Sequence, residues 1–276
     1  MKIYTCLGIG IVLCSSALKA QLTPPAVSPQ IPRPMLASSK SPTLIEVGPH
    51  HRVWQTVSVD DQGRTNVSSF TELATGLNFF DAATGRYEAS QAEFQTTKDG
   101  HAVANKGQHQ VTLAADINSG GSVELITPDG QRLSSNPMGL SFHDLASGKN
   151  LLIAEVTNCV GELVAPNEIV YVNAFDTIKA AIRYKNTKAG LSQDIILYQN
   201  PGSPADYGLD PATTVLEMFT EFFDTPAPTV QQGSEADQTL YFGQMQFARG
   251  AAYLLNGSSQ SLEDPLFHEL AVGCGY

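Results

Sequence analysis

Long apolar runs are scarce in this 276-residue chain, and charged residues make up only 16% of it. Beyond the first twenty residues, no run approaches the roughly 20 apolar residues that a transmembrane helix needs. The 16 basic residues are outnumbered by 27 acidic ones, and a net charge of −11 repels polyphosphate. We therefore expect no nucleic-acid partner and no transmembrane segment in the mature chain.

The first twenty residues have the features of an export signal. Lys2 supplies a short positive start, and residues 5–13 are apolar or small but too few to span a bilayer. Small residues follow, so we predict that the mature chain starts between Leu18 and Gln21. Segment 1–20 is thus predicted to be a signal peptide, and the mature protein to be secreted, periplasmic or at the cell surface.

Cysteine is also scarce. Cys6 and Cys14 lie in the predicted signal, which leaves Cys159 and Cys274 in the mature chain. In an oxidising compartment these two could form one disulfide across a long loop. Two separate buried thiols are the alternative, and two cysteines are too few for a cysteine-only zinc site.

Proline and glycine divide the chain. Residues 21–43 hold six prolines and few large apolar residues, which predicts a disordered linker. Residues 44–224 are predicted to form the main β domain, and 225–238 a loop or boundary. Residues 239–276 are predicted to be strands packed on the same domain. Since the chain ends directly after an apolar run, we expect either a final core strand or a truncation of a longer protein.

Alternation of apolar and polar residues recurs from about residue 44 onward. It is clearest over 178–184 and 191–197, which flank a turn at 186–190 and predict a hairpin with one face in water. Turn-forming pairs such as Asp99-Gly100 separate many of the other segments. The pattern predicts an all-β fold, an antiparallel β-sandwich or stacked sheets with few or no helices.

Residues 211–223 fit two secondary structures. Asp210 followed by Pro211 is typical of a helix start, and the apolar residues that follow fit one helix face. The same residues also fit a strand face, and the threonines and phenylalanines of this segment favour sheets. We predict a strand.

Several segments are distinctive. They are SFTELATGLNFFD at 69–81, GQHQV at 107–111, LITPDG at 125–130, TKAG at 187–190, QDI at 193–195 and TEF at 220–222. Together they resemble the N-terminal β-rich region of large exported proteins from Verrucomicrobia-type and Planctomycetes-type bacteria, over about residues 45–272. In those proteins the region often precedes tandem repeats. The resemblance implies an extracytoplasmic β-rich module and carries over no site residues.

Glu217 and Glu221 are the pair of carboxylates to consider first for a catalytic or metal-binding role. On a helix they would be neighbours, close enough to share a metal or to work as acid and base. On a strand they would lie about 13 Å apart on one face, farther than the roughly 6.5–9.5 Å used by inverting glycosidases. The predicted strand therefore argues against catalysis by this pair alone.

Histidines next to carboxylates are the other candidates. His143 and Asp144 could form half of an acid–base dyad or a metal site, but adjacent strand residues point to opposite faces. His268 and Glu269 open like a His-Glu-x-x-His zinc motif, yet Val272 occupies the second histidine position. The remaining histidines could hold a metal only if strands bring them together: His50, His51, His101 and His109.

Aromatic side chains offer a third kind of site, because an aromatic ring can stack on the C–H surface of a sugar ring. The candidates are Trp54, Phe79, Phe80, Tyr171 and Tyr198, although core packing is the simpler interpretation of each. The glycine patterns of nucleotide-binding loops and the Gly-x-Ser-x-Gly elbow do not occur in the sequence, so we expect no cofactor.

The sequence favours a non-catalytic extracytoplasmic β module with a binding, adhesion or assembly role. A glycan or another surface protein is the expected partner. The alternative is a secreted hydrolase or lyase that acts on polysaccharide.

Overall fold

The computed structural model describes residues 3–8, 41–223, 225, 227–232, 238–243, 245–249 and 270–274. These residues form strands, turns and one short 3-10 helix at Pro204–Tyr207, and no α-helix occurs among them. The prediction of an all-β fold is confirmed. In the described part of the chain, no helix is long and apolar enough to cross a membrane.

The strands are numbered in chain order. Their bounds are β1 Ile3–Gly8, β2 Thr43–Val47, β3 His51–Val59, β4 Thr65–Leu73, β5 Asn78–Asp81, β6 Arg86–Ala89, β7 Gln95–Thr96, β8 Ala102–Ala104, β9 Gln110–Leu113, β10 Val123–Ile126, β11 Arg132–Asp144, β12 Lys149–Glu155, β13 Gly161–Ala165, β14 Glu168–Tyr171, β15 Ala180–Asn186, β16 Gly190–Leu197, β17 Thr214–Phe223, β18 Thr229–Gln232, β19 Gln238–Phe242, β20 Met245–Arg249 and β21 Leu270–Cys274.

The chain divides into two compact units. The sandwich unit comprises residues 1–14 and 90–276, and the open-sheet unit comprises residues 15–89. The division at residues 89 and 90 lies inside the segment 44–224. The signal peptide at 1–20, which includes β1, and the linker at 21–43 stay predictions, as does the boundary at 225–238.

Two eight-stranded antiparallel sheets form the sandwich unit. The first has the strand order β1-β17-β11-β10-β9-β8-β7, and β12 pairs with β11 beside β10. The second has the order β13-β14-β15-β16-β21-β20-β19-β18. The hairpin predicted over 178–197 is confirmed as β15 and β16, which pair antiparallel from Ala180 and Leu197 to Asn186 and Leu191.

The core of the sandwich unit lies between the inner faces of these sheets. Alternate residues of β17 point inward, because side chains alternate across a strand, and Leu216, Met218 and Phe222 are buried there. The ring of Phe222 in the first sheet lies 5.0 Å from that of Phe242 and 5.4 Å from that of Phe247 in the second. One continuous apolar cluster includes buried residues of both sheets.

Strand β11 is the longest of the described strands and carries three partners. It pairs with β17 along one side, and along the other with β10 at residues 132–135 and β12 at residues 139–144. A β-bulge between Pro137 and Gly139 marks the change of partner, where a proline and an irregular backbone are tolerated. Gly139 is required there, because a Cβ would lie 2.3 Å from the carbonyl oxygen of Ala154.

Most of the segment 211–223 is a strand, as predicted, and residues 211–213 form a turn before it. Thr214–Phe223 pairs with β11 from Ser134 to Asp144, so its backbone groups are bonded to a neighbouring strand. Asp210 caps a turn and not a helix, since its side chain accepts from the amide of Ala212 at 2.9 Å. The β-branched and aromatic residues thus outweigh the helix-start signal.

The open-sheet unit has little apolar interior. Its strands form a three-stranded sheet in the order β2-β3-β4 and a separate β5–β6 hairpin. Among its described residues only Gly48, Gly76, Leu77 and Asn78 are buried. The Asn78 side chain bonds the carbonyl of Gly48 at 2.7 Å and accepts from Arg52 Nε at 2.8 Å, so polar contacts hold this unit where a core would be expected.

Leu140→Ala tests the position of the core. Leu140 is fully buried in β11, and we expect its truncation to lower the free energy of unfolding of the sandwich unit by about 2–5 kcal/mol. The matched control is Leu152→Ala in β12, where the side chain is 44% exposed and the expected change is within about 0.5 kcal/mol. Urea unfolding of the full chain measures both, and equal losses would contradict the described core.

Candidate functional site

The structure joins two of the sequence-predicted candidates. His143 Nδ1 lies 3.1 Å from Glu217 Oε1, because His143 on β11 and Glu217 on β17 share the outer face of neighbouring strands. The Glu217 side chain is 12% exposed, and its second oxygen has no hydrogen-bond partner among the described residues. The pair could hold a proton between an imidazole and a carboxylate, but most of the carboxylate is removed from solvent.

The other carboxylates do not complete this pair into an acid–base site. Glu221 lies two strand repeats, or four residues, beyond Glu217 on the same face of β17, opposite Asn136, and is buried. Glu217 and Glu221 are therefore separated along the strand as predicted. Asp144 points to the opposite face from His143, also as predicted.

Asp144 has a structural role in the β11–β12 turn. It accepts hydrogen bonds from the hydroxyl of Ser147, from the hydroxyl of Thr213 and from the amide of Ala146. The bonds from Ser147 and Thr213 lower the pKa of Asp144 from its usual 3.8 to about 2. A lowered carboxyl pKa stabilises the fold above pH 3.8, and this contribution is lost as the pH falls towards about 2.

Three of the four histidines considered as metal ligands make separate side-chain contacts. His50 Nδ1 accepts from the amide of Gly76, and His51 Nε2 lies 3.1 Å from Glu46 Oε1. His109 is buried, with Nε2 2.9 Å from Asn186 Oδ1. No group of three or more His, Cys, Asp or Glu side chains in the described residues could hold a metal ion. His268 and Glu269 lie outside those residues.

Cys159 carries a thiol that donates to the carbonyl of Val172 at 2.9 Å. Burial, with smaller effects of Asp116 and Glu162, raises the pKa of this thiol and makes it a poor nucleophile at neutral pH. The side chain of Cys274 lies outside the described residues. The Cys159–Cys274 disulfide therefore stays a prediction.

The aromatic candidates are placed very differently from one another. Tyr171 is fully buried in the core and donates to the carbonyl of Ala114 at 2.5 Å, so it cannot act as a surface platform. Phe79 is partly buried, Tyr198 is exposed, and Phe80 forms an exposed edge-to-face pair with Tyr87. Trp54 lies on the sheet of the open-sheet unit, beside another aromatic residue.

That residue is Phe70, which the sequence reading did not single out. Trp54 on β3 lies directly opposite Phe70 on β4 and opposite Leu44 on β2. The two ring centroids are 6.4 Å apart with planes only 16° from parallel, and Phe70 is 51% exposed. We call this surface the aromatic face, defined by Leu44, Arg52, Trp54, Phe70 and Glu72.

Polar groups border the two rings. Glu72 Oε2 accepts from Trp54 Nε1 at 3.1 Å and lies 3.6 Å from Arg52 Nη1. Arg52 is itself anchored by Asn78 Oδ1 at 2.8 Å, which holds the guanidinium in place. The Glu72 side chain remains 41% exposed, so it can accept further hydrogen bonds from a ligand.

Beyond the rings, the same face carries small polar side chains. Thr56 lies opposite Ser68, and Ser58 lies opposite Asn66. The face therefore combines an apolar platform with hydroxyl, amide and carboxylate groups at its borders. Such a surface can stack a ring and hydrogen-bond its substituents.

Comparisons with known proteins yield no match: no protein-family model, curated protein or solved structure corresponds to this chain.

His109→Gln tests a pH dependence of stability. Asn186 Nδ2 donates to the carbonyl of Ala92, so Asn186 Oδ1 accepts a hydrogen bond from His109 Nε2. Nδ1 then has no partner among the described residues, and burial lowers the pKa of His109 below 6.5. Since the unfolded chain binds this proton more readily, stability is lost as the pH falls below about 6.5.

Urea unfolding at pH 7.5 and at pH 5.5 is the measurement. The wild-type chain should lose more stability between these pH values than His109→Gln, which keeps a donor near Asn186 but does not titrate. An equal loss in both proteins would show that His109 is not the titrating group.

Proposed function

We propose that this protein is a non-catalytic extracytoplasmic β module that binds a neutral glycan on the aromatic face. The observation that carries the proposal is the stacked pair of half-buried Trp54 and exposed Phe70, which lies on a sheet with few buried residues. The exposed part of such an apolar ring surface costs free energy in water, and a ligand that covers it recovers that free energy.

Stacking explains the preference for sugar. A pyranose presents a flat C–H surface on each side and hydroxyl groups around its edge, which complements an apolar platform with polar borders. The hydroxyls would meet Glu72 and Arg52 at one border and Thr56 and Ser68 along the neighbouring row. Arg52 and Trp54 fix the Glu72 carboxylate, so part of the site is pre-organised.

Charge selects the class of glycan. Arg52 and Glu72 largely neutralise one another on the aromatic face, and the protein as a whole has a net charge of −11. Long-range repulsion therefore disfavours polyanionic glycans. A neutral polysaccharide or oligosaccharide fits both the neutralised charges of the aromatic face and the negative net charge of the protein.

The predicted export signal and the resemblance to N-terminal regions of large exported bacterial proteins support a location outside the cytoplasm. Glycans of cell surfaces and matrices are available there. The alternative of a polysaccharide hydrolase or lyase needs two carboxylates on either side of the scissile bond. Glu217 and Glu221 lie on one strand of the sandwich unit and are largely withdrawn from solvent, which favours the binding role.

Phe70→Ala tests the proposed site. We expect it to weaken binding of neutral oligosaccharides by about tenfold, or about 1.4 kcal/mol, because half of the stacking platform is removed. Isothermal titration with ligands found on a glycan array, such as cello- and chito-oligosaccharides, measures the affinity.

Phe80→Ala is the matched control, since Phe80 is 57% exposed in the same unit but belongs to the separate β5–β6 hairpin. It should leave the affinity unchanged. Absence of binding to every neutral glycan tested, or equal losses in both variants, would overturn the proposal.

A further inference from the structure

Strand β4 forms an open edge of the three-stranded sheet. Among the described strands it pairs with β3 only, in uninterrupted register from Thr65 to Leu73. Eight of its nine residues are exposed, and Glu72 is its one charged residue. It contains no proline and no bulge, and Val67, Phe70 and Leu73 are among its exposed side chains.

Natural sheets rarely leave such an edge unguarded. Short length, lysine, proline or a bulge usually blocks pairing with another chain. The opposite edge of this sheet has a guard of this kind, because β2 carries a register shift between Leu44 and Glu46. Among the described residues β4 carries no such feature, and this observation favours pairing at its edge.

The backbone groups that face the open edge can be identified. The amide of Asp60 donates to the carbonyl of Arg64 at 3.0 Å, so Arg64 and each second residue after it direct their backbone groups towards β3. The intervening residues, Thr65, Val67, Ser69 and Thr71, direct their N–H and C=O groups to the open edge.

We propose that β4 pairs antiparallel with β4 of a second copy of this chain. The two copies are related by a twofold axis perpendicular to the sheet, so the same face of the sheet points to the same side in both copies. Each residue of β4 therefore lies opposite a residue whose side chain is on the same face. Even-numbered residues of β4 share the face of Phe70, and odd-numbered residues share the other. Opposed residues are therefore both even or both odd, which removes half of the possible registers.

Charge selects one of the remaining registers. When Ser68 lies on the axis, Glu72 of each copy opposes Arg64 of the other, so two opposite-charge pairs form. Thr65 then opposes Thr71, and the outward backbone groups of both copies match. The Arg64 side chain is 71% exposed and available for this contact beside its existing pair with Asp60. Such rim pairs fix register more than they add affinity.

The product is a continuous six-stranded sheet with two aromatic faces on the same side. A polymer with repeating sugars could then engage both faces at once and gain avidity over a single face. The pairing itself requires no glycan, so its test is independent of the proposed function.

Cysteine cross-linking tests both the pairing and its register. In the proposed dimer the two Ser68 residues form a non-hydrogen-bonded pair with Cα atoms about 4.5 Å apart, within disulfide range. Ser69 opposes Val67 of the other copy, so two Ser69 residues lie diagonally at about 7–8 Å, beyond that range. Both serines are exposed, which makes either substitution mild.

The experiment uses the full chain carrying Ser68→Cys or Ser69→Cys, with the wild type as the control for native thiols. After air oxidation, non-reducing electrophoresis should show a cross-linked dimer for Ser68→Cys and at most the wild-type level for Ser69→Cys. Sedimentation velocity of the wild type should show a dimer fraction that rises with concentration. A strictly monomeric wild type, or equal cross-linking at both positions, would overturn the proposal.

Discussion

Every part of this structure depends on the two faces of a β-strand and on what each face packs against. In the sandwich unit, one face of each central strand meets the opposite sheet, and the Phe222–Phe242 contact of 5.0 Å joins the two layers. Burial of that face supplies the main favourable free energy of the fold. On the other face of the same strands, the pairing of β11 with β17 brings His143 and Glu217 together.

The open-sheet unit follows the same alternation, but only four of its described residues are buried. Among those described residues the three-stranded sheet has little apolar interior, and hydrogen bonds of Asn78 and Arg52 hold its strands. A three-stranded sheet needs a hydrophobic face or a packed partner for independent stability. The exposed ring of Phe70 beside Trp54 and the open β4 edge have the same origin, because the described residues of this unit bury little of their surface.

Strand positions were accessible from the sequence because alternation and turn residues are local signals. They predicted the β15–β16 hairpin, the strand at 214–223 and the opposite directions of His143 and Asp144. Contacts that need long-range register were not accessible. His143 and Glu217 are 74 positions apart in sequence, and Phe70 joins Trp54 only through the β3–β4 pairing. For Tyr171, core packing is the simpler interpretation of the sequence, and its strand face does point into the core. An alternating strand at 65–73 paired with 51–59 would have revealed Phe70.

Hydrogen exchange of the full chain, in dilute solution and without glycan, tests most directly whether the core belongs to one unit alone. Amides of β11 and β15 should exchange only through global unfolding of the sandwich unit. Amides of β4 should exchange much faster through local opening, because few buried apolar contacts oppose it. Protection of β4 equal to that of β11 would contradict the account, since it would require a packed core beneath the three-stranded sheet.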